Sequence, residues 1–304
     1  MDASKVKSRP MPIPNHSAFK AKPLPPSAFP RVPTGVPDFD SVTGGLPPGS
    51  VVLFVGEAGS GYMEFALTSA ARITKALEDS SEVFYMGLYH GGKILPSHIT
   101  YVSFTKSRDE LLQEVRSTFL ESPYSMLLSR HLVFCDLSGP YFSDSMVPPE
   151  WSRAKRPLLE GTPNQSNDVL STMATELENH GKNSLIIVDS LSDLLVRSSI
   201  KKEDVVTLVK GLRRRAKDWK GTIYLMLTKS VTEPWIEEAL KDSVDAVLQF
   251  GWVSNPHKSS RLRAMWIEKS MPLLAYMRPE QQGRFVINVN DSKGLVTTQY
   301  ERID

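Results

Sequence analysis

The stretch VVLFVGEAGSGYMEF, residues 51–65, decides the fold of this chain. A run of β-branched and aromatic residues ends on Gly56, glycines recur at Gly59 and Gly61, and apolar residues at helical spacing begin with Met63. A buried strand, a glycine turn and a helix in this order are typical of a phosphate-binding loop. Such a loop reads Gly, four residues, Gly, Lys, then Ser or Thr, but Tyr62 and Met63 occupy its last two positions.

The loop keeps one of the three parts that bind a nucleotide. Its glycines allow backbone N–H groups and the start of the helix to form a cradle for anions. Tyr62 supplies a neutral hydroxyl instead of a lysine charge, and the thioether of Met63 cannot bind Mg²⁺, which requires oxygen ligands. The candidate nucleotide site comprises Gly56, Glu57, Ala58, Gly59, Ser60, Gly61, Tyr62 and Met63.

Strands and helices alternate after this loop, which predicts an α/β fold with a mainly parallel sheet between two layers of helices. Four apolar runs at the end of the chain have no helices between them and predict antiparallel closing strands. The predicted helices are 107–120, 168–182, 203–219 and 233–243. The predicted strands are 51–56, 83–89, 99–104, 131–137, 183–190, 222–228, 246–252, 261–269, 284–290 and 295–300.

Asp189 ends the apolar run LIIVD, about 130 residues after the loop. A carboxylate at the end of such a strand is the Walker B position, which lies beside a phosphate loop and near its metal ion. We therefore add Asp189 to the candidate nucleotide site.

The composition predicts a proline-rich tail before one folded domain. Residues 1–33 contain eight of the 22 prolines and six basic residues, so they are predicted to be a disordered basic tail before a single domain at 34–304. The formal net charge of +2 favours no particular partner. Cys135 is the single cysteine and is expected to be a buried structural thiol. No apolar run is long enough to span a membrane, and we expect a cytoplasmic protein.

The segment TGVPDFDSVTGGLPPGSVVLFVGEAGSG, together with YVSFTKSRDELL, LIIVDSLSDLL and the closing strands, resembles the KaiC and RadA branch of the RecA-type P-loop ATPases. The resemblance covers about residues 34–300 and is greatest to the archaeal KaiC-like group called HTR-like proteins, whose name links them to signal transduction. It implies a RecA-like fold and a nucleotide site shared between subunits. It also implies that Lys269 contacts the nucleotide of a neighbouring subunit.

The chain departs from the pattern of that family at its catalytic positions. Thr105 and Lys106 stand where the family has two glutamates, one of which polarises the attacking water, and Met271 replaces an arginine. Together with Tyr62 and Met63, these changes remove most of the charge stabilisation on which phosphoryl transfer depends. No histidine or cysteine spacing indicates a metal site.

We therefore expect a regulatory or scaffold pseudo-ATPase in signalling, with weak or no ATP binding and no hydrolysis, that acts through a protein partner or a homo-oligomer. One alternative is an ATP-binding protein or slow ATPase in which Lys93 or Lys106 replaces the missing lysine. A second alternative is a DNA-binding recombinase relative that uses the basic helix at 201–220 and the tail. The long loop at 138–166 is predicted either to contact a partner or to pack on its own domain.

Overall fold

The computed structural model describes residues 30–85, 92–119, 124–143, 145–152, 169–254, 260–270 and 283–302. Within these ranges, nine strands form one sheet in the order β3-β2-β4-β5-β1-β6-β7-β8-β9. The strands are β1 Val51–Gly56, β2 His98–Ser103, β3 Leu132–Asp136, β4 Ser184–Asp189, β5 Thr222–Thr228, β6 Ala246–Ser254, β7 Arg261–Ser270, β8 Gly283–Asn290 and β9 Gly294–Arg302.

The sheet changes from parallel to antiparallel at β7. Strands β1 to β6 pair in parallel, whereas β7, β8 and β9 pair antiparallel with their neighbours. This arrangement confirms the predicted α/β fold with antiparallel strands at its C-terminal end. The carboxyl ends of the parallel strands therefore lie along one edge, where such sheets bind ligands.

Helices cover both faces of the sheet. They are α1 Pro37–Thr43, α2 Tyr62–Glu78, α3 Arg108–Thr118, α4 Tyr124–His131, α5 Ser138–Phe142, α6 Val169–His180, α7 Leu191–Val196, α8 Lys202–Trp219 and α9 Pro234–Asp242. Alternate residues of β1 point to opposite faces, so Phe54 packs with α1 to α4, whereas Leu53 and Val55 pack with α6 to α9. The uninterrupted apolar run of β1 is therefore explained by burial on both faces.

Local sequence signals account for where several helices begin. The hydroxyl of Ser107 accepts a hydrogen bond from the Glu110 N–H, and the Glu110 carboxylate accepts one from the Ser107 N–H, so the predicted capping box starts α3. Gly61, with a φ of 110°, precedes the first residue of α2. The apolar face of α8 is buried, as its amphipathic spacing predicted.

The segment before β1 is built around Asp40. Its buried carboxylate accepts hydrogen bonds from the N–H groups of Thr34 and Gly35 and from the Thr34 hydroxyl. Ser69, in the middle of α2, donates to the Thr34 carbonyl, which ties this segment to that helix. Residues 1–29 of the predicted tail lie outside the described residues, while Val32 is buried and pairs with Leu46.

The predicted strand at 83–89 is wrong in its described part. Residues Ser80–Tyr85 form a 3₁₀ helix, and residues 86–89 lie outside the described residues. A short apolar run has no reliable period, so it does not distinguish a strand from a helical turn. Across the described parts of the chain, no helix is both long and apolar enough to cross a membrane.

Candidate functional site

The glycine loop lies at the carboxyl edge of the sheet, between the ends of β5 and β6. Gly56 ends β1, and the Ser60 N–H donates to the Glu57 carbonyl to close the turn. Gly59 and Gly61 have φ angles of 72° and 110°, which residues with a Cβ rarely adopt. The predicted strand, turn and helix are therefore present with a glycine at both left-handed positions.

Several backbone N–H groups of the loop make no hydrogen bond within the described residues. Those of Gly59, Gly61, Tyr62 and Met63 find no acceptor among the described residues. The first N–H groups of any helix lack partners within that helix, and they carry its partial positive charge. Ser60 is fully buried, and its hydroxyl also finds no partner in the described part of the chain. The start of α2 therefore keeps unpaired N–H groups, which an anion site requires.

Tyr62 occupies the lysine position of the loop with an aromatic ring. The ring lies against Gly56, where an added Cβ would be 2.2 Å from Cδ1 of Tyr62. The tyrosine hydroxyl is 3.4 Å from the hydroxyl of Thr228, at the end of β5. The side chain thus folds back over the start of the loop, and it adds no positive charge to the cradle.

Met63 connects the loop to Asp189 through Tyr101 of β2. The tyrosine hydroxyl donates a hydrogen bond of 2.6 Å to Oδ2 of Asp189, and its oxygen is 3.9 Å from the sulfur of Met63. The hydroxyl carries a single proton, so the bond is to the carboxylate, and the sulfur is a packing contact. Burial raises the pKa of Tyr101 well above its ordinary value, with a further contribution from Asp189. Tyr101 therefore remains a donor at neutral pH.

Lys106 forms an ion pair with Asp189. Its Nζ lies 3.1 Å from Oδ2 of Asp189 and 3.1 Å from Oε2 of Glu114, in α3. Asp189 reaches this position because Ser103, at the end of β2, pairs with it across the sheet. Burial acts to lower the pKa of Lys106, but the Asp189 and Glu114 carboxylates outweigh it and raise the pKa overall. The lysine therefore stays charged and forms ion pairs with two carboxylates.

The residues present do not fit a magnesium ion. Asp189 is shared between an ammonium and a phenol, and Met63 replaces the hydroxyl that would bind the metal. Within the described ranges, no group of three or more His, Cys, Asp or Glu side chains is arranged to hold a metal. This site therefore has the carboxylate of a metal-dependent nucleotide site without the other ligands.

Arg263 and Trp252 contact the loop, Arg261 packs on Trp252, and none of the three was among the predicted site residues. Nε of Arg263 donates to the Gly59 carbonyl at 2.8 Å, and Nε1 of Trp252 is 3.3 Å from the Ala58 carbonyl. The guanidinium carbons of Arg261 and Arg263 lie 5.2 and 5.0 Å from the Trp252 ring centre. Alternation in β7 predicts that both arginines share a face, but not that this face meets the loop.

Glu57 contributes little to this site by charge. Its Oε1 is 3.5 Å from Nζ of Lys229, and both side chains are more than a third exposed. Exposed pairs of this kind stabilise a protein by about 0–1 kcal/mol and are screened by salt. Glu57 is instead placed by its backbone, because its N–H donates to the Phe250 carbonyl in β6.

Lys93 lies on the amino side of the sheet, not at its carboxyl edge as the sequence indicated. It precedes β2, and its backbone pairs with Arg31. Burial lowers the pKa of Lys93, against the opposing effect of Asp40. Because the glycine loop is at the other edge, Lys93 cannot replace its missing lysine.

Lys269 also lies at the amino edge, opposite Val247 near the start of β6. Its Nζ donates to the carbonyls of Lys241 and Asp242, each at 2.9 Å, and so caps the end of α9. Lys269 is therefore not brought together with this chain's own loop. Its contact with a neighbouring subunit's nucleotide stays a prediction.

The basic residues of α8 are largely paired within the protein. Lys202 binds Glu233, Arg215 binds Glu178 and Asp218, and Arg213 and Lys217 both bind Asp245. A helix that contacts nucleic acid needs unpaired cations for phosphates. These pairs weaken the DNA-binding alternative, since four of its basic side chains already have carboxylate partners.

The loop after β3 is divided between packed and exposed aromatic residues. Tyr141 packs against Phe104 at 5.9 Å between ring centres and under the guanidinium of Arg197. Met146 is 99% exposed and Trp151 is 78% exposed. The predicted loop therefore packs on its own domain near α5 and is exposed further along, and residues 153–166 lie outside the described residues.

Solved structures with the same fold were found by structural comparison. A KaiC-like protein from the hyperthermophilic archaeon Pyrococcus horikoshii is 16% identical, with a TM-score of 0.57 over 89% of this chain and 100% of the other. The flagellar accessory protein FlaH from Methanocaldococcus jannaschii is also 16% identical, with a TM-score of 0.57 over 89% and 99%. No protein-family model and no curated protein sequence matches the chain. The comparisons therefore support the RecA-like fold.

Proposed function

We propose that this chain is a RecA-like pseudo-ATPase, a regulatory or scaffold protein that binds nucleotide weakly or not at all and does not hydrolyse it. The observation that carries the proposal is the Tyr62 ring against Gly56, in the position of the phosphate-binding lysine. We place this regulatory or scaffold role in signal transduction because the sequence resembles the HTR-like proteins. The function is then performed through contacts with other subunits or a protein partner.

The remaining polar groups can hold an anion but cannot drive phosphoryl transfer. The N–H groups of Gly59, Gly61, Tyr62 and Met63 can donate to an anion, but they bring only the partial charge of a helix start and not the full charge of a lysine. Thr105 and Lys106 supply no carboxylate to polarise an attacking water. Since transfer depends almost entirely on positioned charge, the loss of the lysine, the metal hydroxyl and the acid together should abolish turnover.

Nucleotide binding and turnover test this proposal separately. Thermal stability is followed while ATP is added, because a ligand at 100 times its dissociation constant stabilises by about 2.7 kcal/mol. We expect no saturable stabilisation at micromolar ATP and no phosphate release above the buffer rate. Turnover that disappears in Asp189→Ala but persists in Asp242→Ala, a carboxylate on an exposed side chain, would show that the chain is an enzyme.

A second variant tests whether the cradle itself is intact. Replacing Tyr62 with lysine and Met63 with threonine restores the two missing parts of the loop. We expect this double variant to bind ATP more tightly than the natural chain, because unpaired N–H groups are already present in the loop and at the start of α2. Unchanged affinity in a folded variant would mean that the backbone no longer forms an anion site.

Assembly is the remaining part of the proposal. Light scattering on the purified chain measures its mass in solution, and only self-assembly raises that mass above 33.9 kDa. A multiple of this mass supports a homo-oligomer. If the chain is a monomer, its scaffold role must depend on binding a different protein. A monomer for which no binding protein can be isolated contradicts the scaffold function.

A further inference from the structure

Asp189, Lys106, Glu114 and Tyr101 form a polar cluster next to the glycine loop. The lysine lies 3.1 Å from each carboxylate, and the phenol donates to Asp189 at 2.6 Å. The Asp189 side chain is only 12% exposed. The cluster touches the loop through Met63, in the first turn of α2, which is 3.9 Å from the tyrosine oxygen.

We propose that Lys106 is the resident cation of this site, in place of a divalent metal, so that any anion entering the loop binds without Mg²⁺. In P-loop proteins the acid that ends this strand holds Mg²⁺ together with the loop hydroxyl. Here that acid is neutralised by a cation that belongs to the chain. The inference rests on the proposed function for the presence of an anion, and it narrows the ligand class to metal-free polyphosphates.

The need for a cation at this position follows from burial. An ionised carboxylate that is mostly removed from water requires a charged or hydrogen-bonding partner. Lys106 meets this requirement for Asp189 and pairs with Glu114 at the same time. A bound metal would have to displace the ammonium or lie beside it, and either change costs interaction energy at short range.

The remaining ligands add little to the affinity for Mg²⁺, so the ammonium of Lys106 decides the competition for Asp189. Mg²⁺ requires near-octahedral oxygen coordination and gives up its waters reluctantly. The loop offers it the sulfur of Met63, and Tyr101 presents a proton toward Asp189 rather than a lone pair. Oδ2 of Asp189 already contacts both the ammonium of Lys106 and the phenol of Tyr101, so it is a poor ligand for such an ion.

The first experiment compares thermal stability in EDTA and in millimolar MgCl₂ or MnCl₂. We expect the melting temperature of the natural chain to change by less than about 1 °C. Lys106→Ala removes the cation, so its melting temperature should fall by several degrees in EDTA and recover with metal, and Mn²⁺ binding should become detectable by electron paramagnetic resonance. Lys202→Ala, which breaks a pair with Glu233 whose side chain is half exposed, is the matched control and should show neither effect.

A further variant keeps the test decisive if Lys106→Ala fails to fold. Lys106→Ala with Asp189→Asn removes the cation and neutralises its main partner, so stability in EDTA should be partly restored without any response to metal. Metal-dependent stability of the natural chain overturns the proposal. A folded Lys106→Ala that loses stability but recovers nothing with either metal overturns it as well.

Binding of inorganic tripolyphosphate, measured by calorimetry in EDTA and in MgCl₂, tests the ligand class. We expect the affinity in EDTA to equal or exceed that in MgCl₂, and a tenfold gain with Mg²⁺ would contradict the proposal. Absence of tripolyphosphate binding in both buffers contradicts the ligand class, while the metal response of Lys106→Ala still decides the role of the lysine. Turnover of ATP would instead overturn the proposed function, so the two failures are distinguishable.

Discussion

Nε of Arg263 donates a hydrogen bond of 2.8 Å to the carbonyl oxygen of Gly59, and so joins strand β7 to the tip of the glycine loop. The same guanidinium lies over the Trp252 ring, whose Nε1 is 3.3 Å from the neighbouring Ala58 carbonyl. With these two carbonyls held from outside, the loop is kept in shape by the closing strands and needs no nucleotide to order it.

Arg263→Ala should therefore loosen the loop. We expect a loss of about 1 kcal/mol in the free energy of unfolding, measured in urea, because one charge-assisted hydrogen bond and a cation–π contact are lost. Hydrogen exchange of the loop amides should rise as well. Arg261→Ala is the control, since Arg261 lies over Trp252, and the loop bond is made by Arg263. Equal exchange in the two variants would contradict this account.

Gly56 and Tyr62 should be strongly coupled. Gly56→Ala places a Cβ 2.2 Å from Cδ1 of Tyr62, so the ring must move. We expect the free energy of unfolding to fall by about 1–3 kcal/mol. In a Tyr62→Ala background the same change should cost less than half as much. A double-mutant cycle in urea measures this coupling. Strict additivity would mean that the ring does not rest on the glycine.

Asp245 should contribute to stability only above acidic pH. Burial acts to raise its pKa, but the Lys217 ammonium, the Val51 N–H and Arg213 outweigh burial, so the folded pKa lies below 3.8. A lowered folded pKa stabilises the protein fully above the unfolded pKa, and the contribution is lost as the pH falls through the folded pKa.

Asp245→Asn should accordingly destabilise the chain at pH 6, and its deficit relative to the natural chain should shrink as the pH falls below about 3.8. Urea unfolding at pH 6, 4.5 and 3 provides the measurement. Asp242→Asn serves as the control, because its side chain is 91% exposed. A deficit that does not change with pH would assign the effect of Asp245 to packing rather than to charge.

Cys135 should be unreactive in the folded protein. The thiol is buried in β3, and burial raises its pKa to about 12, so almost no thiolate is present at pH 8. We expect a disulfide reagent to modify it at least 100-fold more slowly than in guanidinium chloride. Comparable rates in the two conditions would show that β3 opens readily at this edge of the sheet. The structure confirms the expected burial of this cysteine.

The parts of the fold that the sequence predicted are those governed by local periodicity. The loop, the strand ending on Asp189 and the helix α8 follow directly from apolar spacing, glycine positions and a buried face. The strand at 83–89 failed because a short apolar run carries no such period. The short helices α1, α4, α5 and α7 were not predicted.

The parts of the candidate site that the sequence did not predict depend on distant contacts. Arg263 and Gly59 are 204 residues apart, and their contact exists because β7 returns antiparallel beside β6. The pairing of Lys106 with Asp189 depends on the register of β2 against β4. No local pattern contains this information, so Lys106 could be identified as a nearby cation but not assigned to its carboxylate.

The last hairpin has a consequence for how the protein is made. The Leu295 N–H, in β9, donates to the hydroxyl of Thr68 in α2, a contact between residues 227 positions apart. Ile287 of β8 also lies against Gly61, where an added Cβ would be 2.8 Å from its Cδ1. A ribosome must therefore synthesise nearly the whole domain before the helix that begins at the loop can acquire its final neighbours. Such long-range closure slows folding, so the glycine loop is among the last parts of the nascent chain to be completed.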